Sequence, residues 1–177
     1  MIVLYWNVRG IKNSDTQRSL KNLCYKYKPN ILFIAEPMVS FSSIPPQFWL
    51  SISMNLVATN ERDNLDPNLW TFSSIHLQTP TFVSVAPQHV TLMLQTYTTP
   101  MYISAIYASN NPIIRRSLWN DLALIKSSFD GPWLAIGDFN CLLGAHEKRG
   151  FPPPNARSCE DFQAMTDTLE FFHIPTT

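Results

Sequence analysis

The sequence predicts an α/β fold in which apolar strands are separated by amphipathic helices. Residues 2–8, "IVLYWNV", and residues 30–37, "NILFIAEP", contain apolar runs of strand length. Between these runs, four residues recur at the spacing of one helix face: Leu20, Leu23, Cys24 and Tyr27. Ser14 has the position of a helix cap, and Pro29 ends the helix. A strand, a short helix and a second apolar strand in succession are typical of layered α/β structure.

The middle of the chain predicts further strands. Residues 41–60 are interrupted by Ser and Pro, and we expect them to be irregular apart from a strand at 55–59. Runs rich in β-branched and aromatic residues follow, with a proline in each break, at 69–74, 81–86, 90–98 and 101–109. Their short separations predict an antiparallel meander rather than parallel crossovers.

The C-terminal part predicts two helices on either side of one strand. Asn111 and Pro112 are suited to open the first helix. Residues 133–140, "WLAIGDFN", form the predicted strand, and a proline-rich loop follows it. Ser158 is placed to cap the last helix. Because no repeat or linker interrupts the chain, residues 1–177 are interpreted as one domain or part of one.

The composition excludes several classes of protein. Hydrophobic residues make up 45% of the sequence, which indicates a folded chain, and no apolar run approaches the length of a membrane span. The formal net charge is zero, so a strongly basic nucleic-acid binder is not indicated. The N-terminus lacks the features of an export signal, which predicts an intracellular protein, nuclear or cytoplasmic. Three cysteines without metal-ligand spacing predict reduced thiols and no disulfides.

Polar side chains follow the predicted apolar strands: Asn7, Glu36, Tyr107, Asp138 and Asn140. Side chains at strand ends leave the core, and α/β sheets bind ligands there. Asp138 and Asn140, two apart on an extended strand, are expected to emerge on the same side. Each residue also has a structural interpretation. Asn7 and the Asp138/Asn140 pair suit turns, Glu36 suits a solvated strand end, and Tyr107 suits a core.

These polar residues fall within motifs that resemble a known superfamily. The motifs are "WNVRG" at 6–10, "ILFIAEP" at 31–37, "IYAS" at 106–109, "PWLAIGDFN" at 132–140, "EKRG" at 147–150 and "SCEDF" at 158–162. In this order they resemble the endonuclease/exonuclease/phosphatase superfamily. More narrowly, they resemble the apurinic-type endonuclease domain of plant LINE-type (non-LTR) retrotransposons. The resemblance spans essentially the whole chain and implies a two-sheet α/β sandwich with outer helices, present as an N-terminal portion.

The resemblance implies a metal-dependent phosphodiesterase whose substrate is DNA. It assigns Asn7 and Glu36 to a divalent cation, Mg²⁺ or Mn²⁺, and oxygen ligands of this kind suit hard ions. It assigns Asp138 to placing or deprotonating the attacking water, and Asn140 and Tyr107 to the phosphate. The implied reaction is in-line hydrolysis, helped by neutralisation of charge by the metal and by a placed base.

The sequence departs from the superfamily pattern in a way that bears on activity. The superfamily completes its site with a Ser-Asp-His motif, and residues 1–177 contain none. None of the four histidines follows an aspartate, so none is expected to substitute. The resemblance therefore predicts a truncated and inactive endonuclease domain. Two alternatives are another phosphodiesterase of the superfamily, acting on small phosphoesters, and a non-catalytic binding module.

Overall fold

The computed structural model describes residues 1–96, 98–150 and 152–174 and divides into two compact units. The first unit contains Met1–Tyr107 and Gly131–Asp138. The second contains Ala108–Asp130 and the described part of Phe139–Thr177. Tyr97, in the predicted strand at 90–98, and Phe151, in the predicted loop after "GDFN", lie outside the described residues. The interpretation of residues 1–177 as one incomplete domain stays a prediction.

The first sheet of the first unit is mixed. Strand β1 (Val3–Asn7) pairs in parallel with β2 (Ile31–Ala35). Strand β4 (Leu69–Ser74) runs antiparallel to both β2 and β3 (Met54–Thr59), which makes the order β1-β2-β4-β3. Helix α1 (Ser14–Tyr27) lies between β1 and β2 in the chain, because parallel neighbours need a crossover.

The second sheet also lies in the first unit and is also mixed. Its order is β5-β6-β7-β8. Strands β5 (Thr81–Ala86), β6 (His89–Leu94) and β7 (Met101–Tyr107) are antiparallel in succession. Strand β8 (Trp133–Asp138) pairs in parallel with β7, and α3 (Pro112–Ser127) lies in the crossover between them. The predicted meander is thus confirmed for three of its runs.

Two expectations for the middle of the chain are wrong. The run at 69–74 is not part of the meander, because β4 lies in the first sheet between β2 and β3. The segment at 41–60 contains a further helix, α2 (Pro46–Ser51), in addition to β3. This helix is too short for its apolar residues to show a helical period, although Phe48 and Trp49 are both buried.

Helix caps agree with the sequence in one case and differ in two. Asn111 caps α3 as predicted, and its side chain accepts a hydrogen bond from the Ile113 N–H. Asn13, not Ser14, caps α1. The last helix, α4 (Ala156–Thr168), is capped by Asn155 rather than Ser158. In these two helices an asparagine in extended conformation precedes the predicted cap and takes its role.

The first unit has two apolar clusters, one on each face of the first sheet. Successive side chains of β2 point to opposite faces of the sheet, so alternate residues of this strand belong to different clusters. Ile31 and Phe33 belong to the cluster that also contains Leu92 and Ile103 of the second sheet, so this cluster lies between the sheets. Leu32 and Ile34 belong to the other cluster, which contains residues of α1 and α2. The sandwich of two sheets is therefore held by a core that both sheets supply.

The second unit is built on α3 and α4. Leu118 and Leu122 of α3 and Met165 of α4 are buried. The ring of Trp119 stacks on that of Phe162, with the centroids 5.6 Å apart. Aromatic contacts of this kind, together with burial of the leucines, stabilise the pair of helices.

The helices and the cysteines of the chain bear on membrane insertion and on disulfide formation. In the described part of the chain, no helix combines the length and the apolar character needed to cross a bilayer. Cys24, Cys141 and Cys159 form no disulfide bonds, and Cys24 is buried. Burial raises the pKa of the Cys24 thiol to about 11.

His89 links stability to pH. The residue is fully buried in β6, its Nε2 lies 3.0 Å from Ser84 Oγ, and burial lowers its pKa from 6.5 to about 4. The unfolded chain binds a proton here at a higher pH than the folded chain does. We therefore expect the free energy of unfolding to fall by about 3 kcal/mol as the pH drops from about 6.5 to about 4, in urea titrations. His89→Gln should flatten this slope and exposed His76→Gln should not; an unchanged slope in His89→Gln would contradict the assignment.

Candidate active site

The carboxyl ends of four strands bring four polar side chains together in the first unit. Asn7 ends β1, Glu36 directly follows β2, Tyr107 ends β7 and Asp138 ends β8. Both strand pairs are parallel, and Tyr107 is the register partner of Asp138. Because the ends of parallel neighbours meet at one edge, packing the two sheets face to face collects all four side chains.

The four side chains are connected through Glu36 and Asn7. Glu36 Oε1 accepts hydrogen bonds from the Tyr107 hydroxyl at 2.7 Å and from Asn7 Nδ2 at 2.9 Å. The same Asn7 amide nitrogen lies 3.5 Å from Asp138 Oδ2. Four of the strand-end residues expected from the sequence, Asn7, Glu36, Tyr107 and Asp138, therefore form one cluster.

The backbone of Glu36 is strained. Its φ of 52° lies in the left-handed region, which costs a residue with a side chain about 1–2 kcal/mol. Two backbone hydrogen bonds hold it there: the Glu36 N–H donates to the Asn68 carbonyl at 2.9 Å, and the Gly10 N–H donates to the Glu36 carbonyl at 2.8 Å. Strain held by surrounding structure is frequent at functional sites, because it directs one side chain to one place.

Hydrogen bonding keeps the Glu36 carboxylate charged. The bond from Tyr107 and then the bond from Asn7 hold the pKa of Glu36 below its usual value. Burial, and secondarily the bond to Glu36, raise the pKa of Tyr107, so its hydroxyl stays a neutral donor. The cluster thus combines a carboxylate that is ionised at neutral pH with two neutral donors.

Asn7 supplies the observation that bears on a metal. Its Oδ1 atom is buried and has no hydrogen-bond partner, while its Nδ2 faces the carboxylates of Glu36 and Asp138. A buried amide oxygen without a donor, on a side chain whose nitrogen contacts two carboxylates, suits a hard cation, which binds oxygen ligands. No group of three or more His, Cys, Asp or Glu residues that could hold a metal occurs in the described ranges. The residues that fit a cation are therefore an amide and a carboxylate.

Gly137 allows β7 and β8 to approach closely just before Asp138. Its φ is 151°, a conformation that residues with side chains rarely adopt. A Cβ atom at this position would lie 2.0 Å from the Ile106 carbonyl oxygen. The glycine of "GDFN" is thus required by the backbone geometry that delivers Asp138 to the cluster.

Asn140 belongs to the second unit, and the expectation about its direction is wrong. Strand β8 ends at Asp138, and Asn140 has a left-handed backbone with φ of 49°. Asp138 and Asn140 therefore do not leave one side of a continuous extended strand. Asn140 Nδ2 donates to the Ala108 carbonyl at 2.8 Å, so this side chain joins the segments that follow β7 and β8.

Arg115 is a residue of the second unit whose role the sequence interpretation missed. It is 3% exposed, and its guanidinium donates to the Ser109 carbonyl at 2.9 Å, to the Asn140 carbonyl at 2.7 Å and to Ser158 Oγ. A buried arginine needs several acceptors to offset its desolvation. The signal was available, because Arg115 lies three and seven residues before Leu118 and Leu122 on the buried face of α3.

Comparison with known proteins identifies the fold. No protein-family model matches the sequence, and no curated protein matches it. An AP endonuclease from Archaeoglobus fulgidus is similar in structure, with a TM-score of 0.71 at 12% identity over 94% of this chain and 70% of its own. A 3'-5' exonuclease from Neisseria meningitidis, NExo, has a TM-score of 0.68 at 12% identity over 95% and 71%.

A third similar structure comes from a mobile element. The endonuclease domain of TRAS1, a telomere-specific non-LTR retrotransposon, has a TM-score of 0.67 at 12% identity over 94% of this chain and 71% of its own. At this identity the likeness concerns the fold. The predicted α/β fold, a two-sheet sandwich of the endonuclease/exonuclease/phosphatase type, is confirmed.

Substituting Gly137 tests the close approach of the two strands. We expect Gly137→Ala to lower the free energy of unfolding by about 2–5 kcal/mol in urea titrations, because a steric clash adds to the backbone cost. Gly150→Ala is the matched control: its φ is 94°, yet no described atom beyond its chain neighbours lies within 4 Å of the added Cβ. The control should lose only about 1–2 kcal/mol. Equal losses in the two variants would refute the clash.

Removing the Tyr107 hydroxyl tests the hydrogen bonds at Glu36. Because that hydroxyl is the largest cause of the lowered pKa of Glu36, we expect Tyr107→Phe to raise this pKa. Titration of the ¹³C-labelled glutamate carboxyls by NMR measures the change. The control is Tyr25→Phe, which removes an exposed hydroxyl that donates to the Ser51 carbonyl at 3.1 Å. A Glu36 pKa that stays the same in Tyr107→Phe contradicts the hydrogen-bond assignment.

Proposed function

We propose that Asn7, Glu36, Tyr107 and Asp138 form the active site of a divalent-metal-dependent phosphodiesterase that acts on DNA. The single observation that carries the proposal is the convergence of these side chains at the ends of four strands, with Asn7 Oδ1 buried and without a partner. The motifs "WNVRG" and "GDFN" support it, because the same residues carry the sequence resemblance.

Asn7 and Glu36 are the proposed metal ligands. Asn7 would contribute its Oδ1 atom and Glu36 its carboxylate, which the bond from Tyr107 keeps ionised. All of these donors are oxygens, which favours Mg²⁺ or Mn²⁺ over softer ions. When bound, such an ion neutralises charge on a phosphodiester.

The remaining residues of the cluster have proposed roles in orientation and proton transfer. Asp138 would orient the attacking water and accept its proton, since its carboxylate lies at the end of β8 beside Asn7. The neutral hydroxyl of Tyr107 has one proton, which it donates to Glu36 here; with substrate bound it would donate that proton to a phosphate oxygen instead. The resemblance also assigns phosphate contact to Asn140, which stays a prediction.

The substrate and the biological setting are further parts of the proposal. DNA is proposed because the sequence motifs resemble a retroelement endonuclease domain and because similar structures include an AP endonuclease and the TRAS1 endonuclease domain. We propose a plant LINE-type element as the source. An intracellular location, nuclear or cytoplasmic, is proposed because this class of enzyme meets its substrate there.

The catalytic strength of the 177-residue chain by itself is a separate question. The sequence has no Ser-Asp-His motif, and loss of one group that stabilises the transition state typically costs on the order of 10²–10³ in rate. We therefore propose that this chain alone binds metal and hydrolyses DNA weakly or not at all. Metal binding and hydrolysis must accordingly be measured separately.

Two assays test the proposal. Titration calorimetry with MnCl₂ should detect one site, and Glu36→Gln should weaken it by at least about tenfold, whereas exposed Glu61→Gln should not. In a plasmid-nicking assay with Mg²⁺, any cleavage should disappear in Asp138→Ala and persist in exposed Asp63→Ala.

The outcomes separate the alternatives. Strong nicking that Asp138→Ala abolishes would support the site and refute inactivity of the chain. Hydrolysis of a small phosphoester without cleavage of DNA would favour the alternative phosphodiesterase. Mn²⁺ binding that Glu36→Gln leaves unchanged would exclude the proposed metal site.

A further inference from the structure

Tyr5 lies directly beneath the candidate active site. It is the third residue of β1 and precedes Asn7 by two positions, so both side chains leave the same side of the strand. That side faces the second sheet, because Tyr5 packs against the cluster between the sheets. The sequence alone places Tyr5 in a buried strand and predicts no contact with the site.

The Tyr5 hydroxyl bridges the ends of β7 and β8. It donates to the Ile106 carbonyl at 2.8 Å and lies 3.4 Å from the Asp138 nitrogen, whose N–H points to it as donor. Ile106 and Asp138 belong to neighbouring strands: in the ladder, Ile106 is opposite Gly137 and Tyr107 is opposite Asp138. One hydroxyl from the first sheet thus meets an acceptor and a donor of the second sheet just below the catalytic candidates.

This contact occurs where the β7–β8 ladder is distorted. Gly137 has φ of 151°, and the Ile106 carbonyl oxygen occupies the space that a Cβ atom would need. The two backbone groups on either side of this distortion are the ones that Tyr5 contacts. Burial raises the pKa of Tyr5 and outweighs the hydrogen bond from the Asp138 N–H, which lowers it, so the phenol stays protonated and can donate.

We propose that Tyr5 is a positioning residue of the site: its hydroxyl fixes the backbone of Asp138, and so the place of the Asp138 carboxylate relative to Asn7 and Glu36. Asn7 and Asp138 belong to different sheets, so the distance between them depends on how the sheets pack. Apolar packing is not directional and defines such a distance less accurately than a hydrogen bond does. The hydrogen bond that the Asp138 N–H at the end of β8 donates to the Tyr5 hydroxyl of β1 sets it by direct contact. The inference rests on the proposed function of Asp138.

Substituting Tyr5 by phenylalanine distinguishes the hydrogen bonds of its hydroxyl from the packing of its ring. Tyr5→Phe keeps the ring in the core and removes only the hydroxyl, and the control Tyr25→Phe removes an exposed hydroxyl of the first unit that donates to the Ser51 carbonyl. In ¹⁵N-labelled protein we expect Tyr5→Phe to shift the Asp138 amide resonance and to speed its hydrogen exchange by about 5–10-fold, the effect of one lost hydrogen bond. Titration with MnCl₂ should show binding weakened by about tenfold, as for other residues that orient a metal site. Tyr25→Phe should change none of these.

The result that overturns the proposal is an Asp138 amide in Tyr5→Phe with the shift and exchange rate of the parent. Faster exchange spread equally over the centre of β7, for example at Ile103, would also overturn it, because it would show loss of general stability. If Tyr5→Phe does not fold, the contact can be tested in the unsubstituted protein. A nuclear Overhauser effect between the Tyr5 hydroxyl proton and the Asp138 amide proton is expected, and its absence refutes the contact.

The outcome for Tyr5 can be distinguished from the outcome for the proposed function. In one outcome, Tyr5→Phe changes the Asp138 amide but Glu36→Gln leaves Mn²⁺ binding unchanged. This result would support the structural role of Tyr5 and refute the proposed phosphodiesterase site. Mn²⁺ binding that depends on Glu36 but not on Tyr5, with an unchanged Asp138 amide, would keep the metal site and reject Tyr5.

Discussion

The carboxylate of Glu36 is the interaction on which the candidate active site depends, because it joins the two sheets of the first unit. Its Oε1 atom accepts one hydrogen bond from Asn7 of the first sheet and one from Tyr107 of the second. Each donor is fixed at the end of its own strand, so the shared acceptor fixes the strand ends with respect to one another. The apolar cluster between the sheets stabilises the sandwich, but it does not by itself define positions to the accuracy that a catalytic site requires.

The site requires two unfavourable backbone conformations. Glu36 has a left-handed conformation and Gly137 a conformation in which a side chain would collide with the Ile106 carbonyl. Both irregularities lie at the ends of regular strands whose residues are fully buried or paired in register. The regular sheets therefore hold two unfavourable backbone positions in place, and those positions bring Glu36 and Asp138 to the same amide nitrogen of Asn7.

In the second unit, a buried arginine side chain connects segments of the backbone through several hydrogen bonds. Arg115 is buried and donates to the carbonyl groups of Ser109 and Asn140, which follow β7 and β8 in the chain. Tyr107 and Asp138 are thus each followed within two residues by a segment that the guanidinium binds. A planar donor with several N–H groups can hold two such segments at once, which a lysine could not do with the same geometry.

The sequence alone determined which strands deliver polar residues and in what order, because apolar runs that end in Asn, Glu, Tyr or Asp are visible without coordinates. It also indicated the α/β fold, since strand and helix periods differ. It did not show that β4 belongs to the first sheet, because a central strand and a meander strand have the same local pattern. The contact of Tyr5 with Asp138 and the partnerless oxygen of Asn7 depended on the tertiary structure. Residues 5 and 138 meet across two sheets, and no local propensity records the distance between segments so far apart in the chain.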